Sequence, residues 1–169
     1  MMKASKVVNV AFLQELKESH SNLWEDVNQL GAYVQEPFCA DWVEQNGGAL
    51  LRRLREGLAS QFRLEETFGY VDGPPGPTSK EVEMAMDQHL KIVLQCVALS
   101  EQFDDLEYSG RLDCETVAIW KQMRVLYETI LEHEAFERRM LSESWGICPS
   151  ALPTLPATSS QPSAHRSGR

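Results

Sequence analysis

The chain has 169 residues, 43% hydrophobic and 24% charged, enough for one domain with a buried core and too few for two comfortable ones. Its formal charge of −9 argues against partners held by phosphate contacts, because nucleic acid and anionic lipid would both be repelled over most of the surface. Lys3 and Lys6 precede a short apolar run from Val7 to Leu13, but Asn9 interrupts it and no small-residue cleavage site follows Gln14-Glu15. No uninterrupted apolar stretch approaches a membrane span, so the expectation is a soluble, cytoplasmic protein that binds neither nucleic acid nor membrane.

Apolar residues at Phe12, Leu16, Leu23, Val27, Leu30 and Val34 fall on one face of a first helix, which ends before Pro37. A second helix starts near Asp41 and carries Leu50, Leu54, Leu58, Phe62 and Phe68 on one face, with Gly47-Gly48 as a weak point and Gly69 as its stop. The segment from Gly69 to Pro77, rich in glycine and proline, is expected to be a loop. Thr78 with Glu81 looks like a capping box that opens a third helix, whose apolar face is Val82, Met86, Val93, Cys96 and Phe103. Tyr108-Ser109-Gly110-Arg111 breaks it. Asp113 is the expected N-cap of a last helix, with a stripe of Ile119, Met123, Leu126, Ile130, Met140 and Leu141 that runs to about Trp145.

From residue 146 to 169 the chain is dominated by Pro, Ser, Thr and Ala, too few apolar groups to order a segment, and a disordered tail is expected. Cys39, Cys96, Cys114 and Cys148 are far apart and form no C-x-x-C pair, so they read as reduced, mostly structural thiols. Four amphipathic helices joined by short connections predict an all-α protein, an up-down-up-down antiparallel four-helix bundle over residues 8–145.

Polar residues interrupt every stripe. His20 lies between Leu16 and Leu23, Gln61 and Glu65 follow Leu54 and Leu58, His89 sits between Met86 and Val93, and His133 with Glu137 sits between Ile130 and Met140. Buried imidazoles and carboxylates are costly unless they are paired or share a cation. Counted from the ends that an antiparallel bundle brings to one side, these groups stand roughly eight to twelve residues along. At about 1.5 Å per residue they share a layer within about 6 Å. The pairs Gln61/Glu65 and His133/Glu137 are i, i+4, which stacks two side chains on one helix face. Imidazole with carboxylate suits iron, manganese or zinc; the competing reading is a hydrogen-bonded polar layer without metal. His165 falls in the tail and is left out of the site.

Four stretches carry a family resemblance: Leu16-Lys17-Glu18-Ser19-His20, Gln61-Phe62-Arg63-Leu64-Glu65-Glu66, Asp87-Gln88-His89-Leu90, and Leu131-Glu132-His133-Glu134-Ala135-Phe136-Glu137 through Met140-Leu141. In order and spacing they resemble the hemerythrin-like, or HHE cation-binding, family. The resemblance implies a non-haem iron site of one or two ions, with His20 serving one iron, His89 and His133 the other, and Glu65 and Glu137 bridging them. It also implies binding or sensing of dioxygen, iron or another small oxidant. Gln61 stands where the family has a histidine, and Val93 where oxygen carriers have another, which disfavours reversible oxygen transport.

The leading expectation is a small metal-binding or sensing protein, not an enzyme. The rival is a helical protein-interaction module with a degenerate metal site, meeting its partner through the tail or through an exposed patch around Trp24, Trp42 and Trp145. A metal-dependent oxidoreductase ranks last, since no nucleophile, cofactor fingerprint or phosphate-binding loop is present in the sequence.

Overall fold

The computed structural model describes residues 5–73 and 79–145. Strand β1 (Ser5–Val8) leads into α1 (Val10–Ser19), which gives way at His20 to α2 (Ser21–Gln35). The chain re-enters helix at α3 (Ala40–Trp42), passes through a π-helical turn at Val43–Gly47 into α4 (Gly48–Leu64), and leaves through a second π-helical turn at Glu65–Gly69. Strand β2 (Tyr70–Gly73) follows, and then the two long helices α5 (Ser79–Tyr108) and α6 (Leu112–Trp145). The protein is predominantly helical, as the periodicity of its apolar residues requires.

Helix α2 packs on α4 and α6, and α5 packs on the same two, so the four enclose one core. Leu30, Leu50, Leu51, Leu54, Ile92, Met123 and Leu126 fill it and are removed from water. Contacts between neighbours climb one helix as they descend the other. His20 meets Gln61 while Asp26 meets Arg53, and His89 meets Glu65 while Cys96 meets Leu51. Between α4 and α5 the Phe103 ring lies against Gly48, where a Cβ would come within 2.6 Å of it. The glycine pair expected to weaken this helix is thus the surface on which Phe103 seats, and a π-helical turn ends there.

Several expectations need correction. The first helix is broken: His20, at φ −98° and ψ 45°, ends α1 and starts α2, its amide donating to Leu16 and its carbonyl accepting from Leu23 and Trp24. Part of the expected loop is a strand, since Tyr70–Gly73 pairs antiparallel with Ser5–Val8 and Val8 lies opposite Tyr70. Phe68, placed on the buried face by periodicity, is 51% exposed, because the π-helical turn at its position resets the helical phase. The buried face of α5 runs through Ala85, Ile92 and Leu99 as well as Val82, Cys96 and Phe103, and leaves Met86 and Val93 half-buried at its edge.

Helix α6 begins at Leu112, so Asp113 lies in its first turn instead of capping it, and its Oδ1 accepts from the Cys114 amide. Trp24 is buried and Trp42 stacks on Tyr33 with ring centroids 3.6 Å apart, so these two do not form an exposed patch. Cys96 is buried, whereas Cys39 and Cys114 are exposed and therefore not structural. Thr78 of the expected capping box, Cys148, the side chain of Trp145 and the expected tail at 146–169 with His165 lie outside the described residues. Among the described residues no helix is long and apolar enough to cross a membrane.

Candidate metal centre

The polar layer lies between two apolar clusters. On one side is the core of α2, α4, α5 and α6; on the other, Val10, Leu13, Tyr70, Val82, Ala85, Phe136, Met140 and Leu141 close the end of the helices. The small sheet matters here because it carries Tyr70 under the layer and seals it. Water is kept from both sides, and a charge in this layer must be met by protein or by a bound ion.

Glu65, His89, His133 and Glu137 converge in this layer, all buried, each with one ligand atom within 4.8 Å of the others. The Nε2 of His89 lies 3.2 Å from Glu65 Oε2 and 3.9 Å from Glu137 Oε1, and the Nε2 of His133 is likewise 3.9 Å from Glu137 Oε1. Both imidazoles are anchored through the opposite nitrogen. The Nδ1–H of His89 donates to Glu66 Oε1 at 2.9 Å, and that of His133 donates to Gln88 Oε1 at 2.9 Å. Carboxylate and amide partners on Nδ1 orient a metal-ligating histidine and leave its Nε2 lone pair free. Phe62 fixes the planes further, stacking on His89 with centroids 4.1 Å apart and meeting His133 edge-on.

The inner side of the cluster is unsatisfied. His89 Nε2, His133 Nε2 and Glu65 Oε2 are buried atoms without a hydrogen-bond partner, although nearly all such atoms in proteins have one. Ligand atoms about 2.0–2.2 Å from one ion stand roughly 3–4 Å apart, so a contraction of under about 1 Å would close these four around a cation. Two nitrogens and two carboxylate oxygens form a donor set for iron, manganese or zinc. The residues fit a metal.

Electrostatics agree. Burial and the nearby Glu137 carboxylate push Glu65 up to about 7. Burial alone would lower His89, but the Glu137 and Glu65 carboxylates outweigh it and hold the imidazolium up to about 10. In the metal-free protein a proton on His89 is therefore the counter-charge between the two acids. His133 is pushed down to about 4 by burial and is neutral at physiological pH, ready to coordinate.

His20 and Gln61, which the family resemblance would place among the ligands, stand beside the cluster. The break at His20 leaves its ring half-buried, with Asn22, Gly57 and Ser60 lining the same surface cleft. Its Nδ1 donates to Gln61 Oε1 at 2.5 Å, and Gln61 Nε2 donates to Glu65 Oε1 at 2.6 Å, so the amide links His20 to the cluster.

Three further residues belong to the layer. Lys17 Nζ lies 2.7 Å from Glu134 Oε2 and 2.8 Å from Glu137 Oε2, and Tyr70 donates its phenol to Glu137 Oε1 at 2.5 Å. Although burial opposes it, Glu137, Glu134 and Glu65 hold the Lys17 ammonium well above its ordinary range. Despite the same opposition, Lys17 and the two histidines hold Glu137 well below the usual carboxylate range. Periodicity carried a signal for two of these: Lys17 is four residues after Leu13, and Glu134 is four after Ile130 and seven before Leu141. Tyr70 had none, being placed by a strand pairing. Comparison with protein-family models, curated proteins and solved structures finds no match to this chain, so the resemblance rests on these residues alone.

Proposed function

We propose that this chain is a hemerythrin-like, non-haem metal-binding protein, built as an up-down-up-down four-helix bundle and acting as a cytoplasmic sensor or handler of a small oxidant or of iron itself. One observation carries the reading: two imidazole Nε2 atoms and the Glu65 Oε2 atom, all buried, face one point beside Glu137 with no hydrogen-bond partner outside the cluster. The up-down arrangement is supported by the opposed contacts along adjoining helices. Iron is the metal the family resemblance favours, and the donor set would also hold manganese or zinc.

A bound iron would supply reversible one-electron chemistry and an open position for a small ligand. The chain's own residues do the rest. Glu65, His89, His133 and Glu137 would hold the ion, while Glu66 and Gln88 orient the imidazoles. Tyr70, donating to Glu137 Oε1, aims that carboxylate and keeps a phenolic proton beside the site, since burial and the Glu137 charge raise its pKa strongly. A cavity of about 680 Å³ lined by Phe62, Glu66, Met86, His89, Leu90 and Val93 brings small molecules to the His89 side. The reading is of a binding protein, not an enzyme.

The test is metal retention. Chelator-stripped protein, exposed to ferrous iron without air and then desalted, should retain iron, and the His89→Ala/His133→Ala double variant should not. A folded wild type that retains no iron, manganese or zinc at saturating concentrations would favour the helical interaction module.

A further inference from the structure

Glu65 and Glu137, which the family resemblance would have bridge two ions, each meet a protein group on the side away from the imidazoles. Glu65 turns Oε2 and Glu137 turns Oε1 toward the His89 and His133 nitrogens. On the far side Gln61 Nε2 donates to Glu65 Oε1 at 2.6 Å and the Lys17 ammonium pairs with Glu137 Oε2 at 2.8 Å, while Glu137 Oε1 also accepts from Tyr70. A second ion bridged by the same carboxylates would need Glu65 Oε1 and Glu137 Oε2.

Resting on the metal-centre reading above, we infer that the Lys17 ammonium stands in for the second cation of a two-metal centre, so that this protein binds one divalent ion per chain. Charge supports the assignment. The layer buries three carboxylates, Glu65, Glu134 and Glu137, against the one ammonium of Lys17. One divalent ion with neutral imidazoles brings the formal charge to zero, whereas a second would leave an excess of positive charge in a dry layer. Lys17 is anchored for this role by two carboxylates and lies over the Trp24 ring, 5.8 Å from its centroid.

Gln61 and Lys17 act together. The amide caps one bridging oxygen and the ammonium the other, so restoring an imidazole at position 61 alone does not admit a second ion. Removing the ammonium as well frees Glu137 Oε2 and Glu134 and provides both oxygen and nitrogen donors on that side.

The experiment measures bound manganese(II) and ferrous iron per chain by equilibrium dialysis and elemental analysis, without air. Wild type, Gln61→His and Lys17→Met/Gln61→His are compared, each first checked for helicity by circular dichroism. Wild type and Gln61→His should saturate at one ion, and the double variant at two. Two tightly bound ions in wild type or in Gln61→His would overturn the assignment, as would a folded double variant that stops at one. If the double variant does not fold, wild type and Gln61→His still decide. No ion in wild type would instead sink the metal-centre reading on which the inference stands.

Discussion

Replacing His133 with alanine removes one of the two imidazole nitrogens from the cluster and leaves Gln88 Oε1 without its donor. Gln88 is half-buried, so in the metal-free protein the loss of this hydrogen bond costs about 0.5–1.5 kcal/mol. The effect on metal is separable from this. A ligand at about 100 times its Kd stabilises the folded state by about 2.7 kcal/mol, and a domain of this size gains roughly 2–4 °C in Tm per kcal/mol. Wild type should therefore melt roughly 5–11 °C higher with manganese(II) or ferrous iron at that excess. Loss of an orienting group alone lowers metal affinity about 10–100-fold, and loss of a ligand should reach at least the upper figure. At the same metal concentration the variant would then sit near its Kd, where the gain is about 0.4 kcal/mol, or about 1 °C. Differential scanning calorimetry of both proteins, with chelator and with metal, reads the two effects apart. A variant that starts lower yet gains as many degrees as wild type would refute the assignment of His133 as a ligand.

Metal binding should strengthen with pH. The ion displaces a proton from His89, held up to about 10, so affinity rises by up to about tenfold per unit between about pH 7 and 10, with about one proton released per ion near pH 8. Below about 7 Glu65 must also deprotonate, which steepens the dependence; titration in weak buffer with an indicator dye measures both, and a flat profile would count against the ligand set. Gln88→Ala, which frees the His133 ring, should lower metal affinity about 10–100-fold in competition with a chromophoric chelator while leaving the helical spectrum unchanged. Gly69→Ala would drive a methyl group into the Leu13 side chain under the site and should destabilise the fold by about 1–3 kcal/mol in urea denaturation. Leu54→Ala, in the centre of the main core, should cost about 2–5 kcal/mol by the same assay, with metal stoichiometry preserved because the cluster lies elsewhere.

Helical content and the register of the four clustered side chains were legible in the sequence, because both are local properties. A period of 3.6 residues places Leu54, Leu58 and Glu65 along one side of a helix and Ile130, His133 and Glu137 along another, whatever they later touch. The convergence of His89 with those groups followed from counting residues along antiparallel helices. Each step uses only the rise per residue.

What tertiary structure alone decided is which donor faces which acceptor. Tyr70 reaches Glu137 because a strand pairs with residues more than sixty positions earlier, and no local pattern in a glycine- and proline-rich stretch signals such a partner. The break at His20 turns a stripe residue into the link between two helices, where its Nδ1 meets Gln61 in place of the cluster. Lys17 stands four residues after Leu13, but that spacing does not name its partners. Only when the C-terminal end of α1 reaches α6 does its ammonium meet Glu134 and Glu137, far along the chain, and become the cation that balances them. Periodicity determines the side of a helix on which a residue lies, but the charge and hydrogen-bond partners it finds there depend on surfaces brought by other elements. That is why the four clustered residues could be read from the sequence while the contacts that Lys17 and Gln61 make beside them could not.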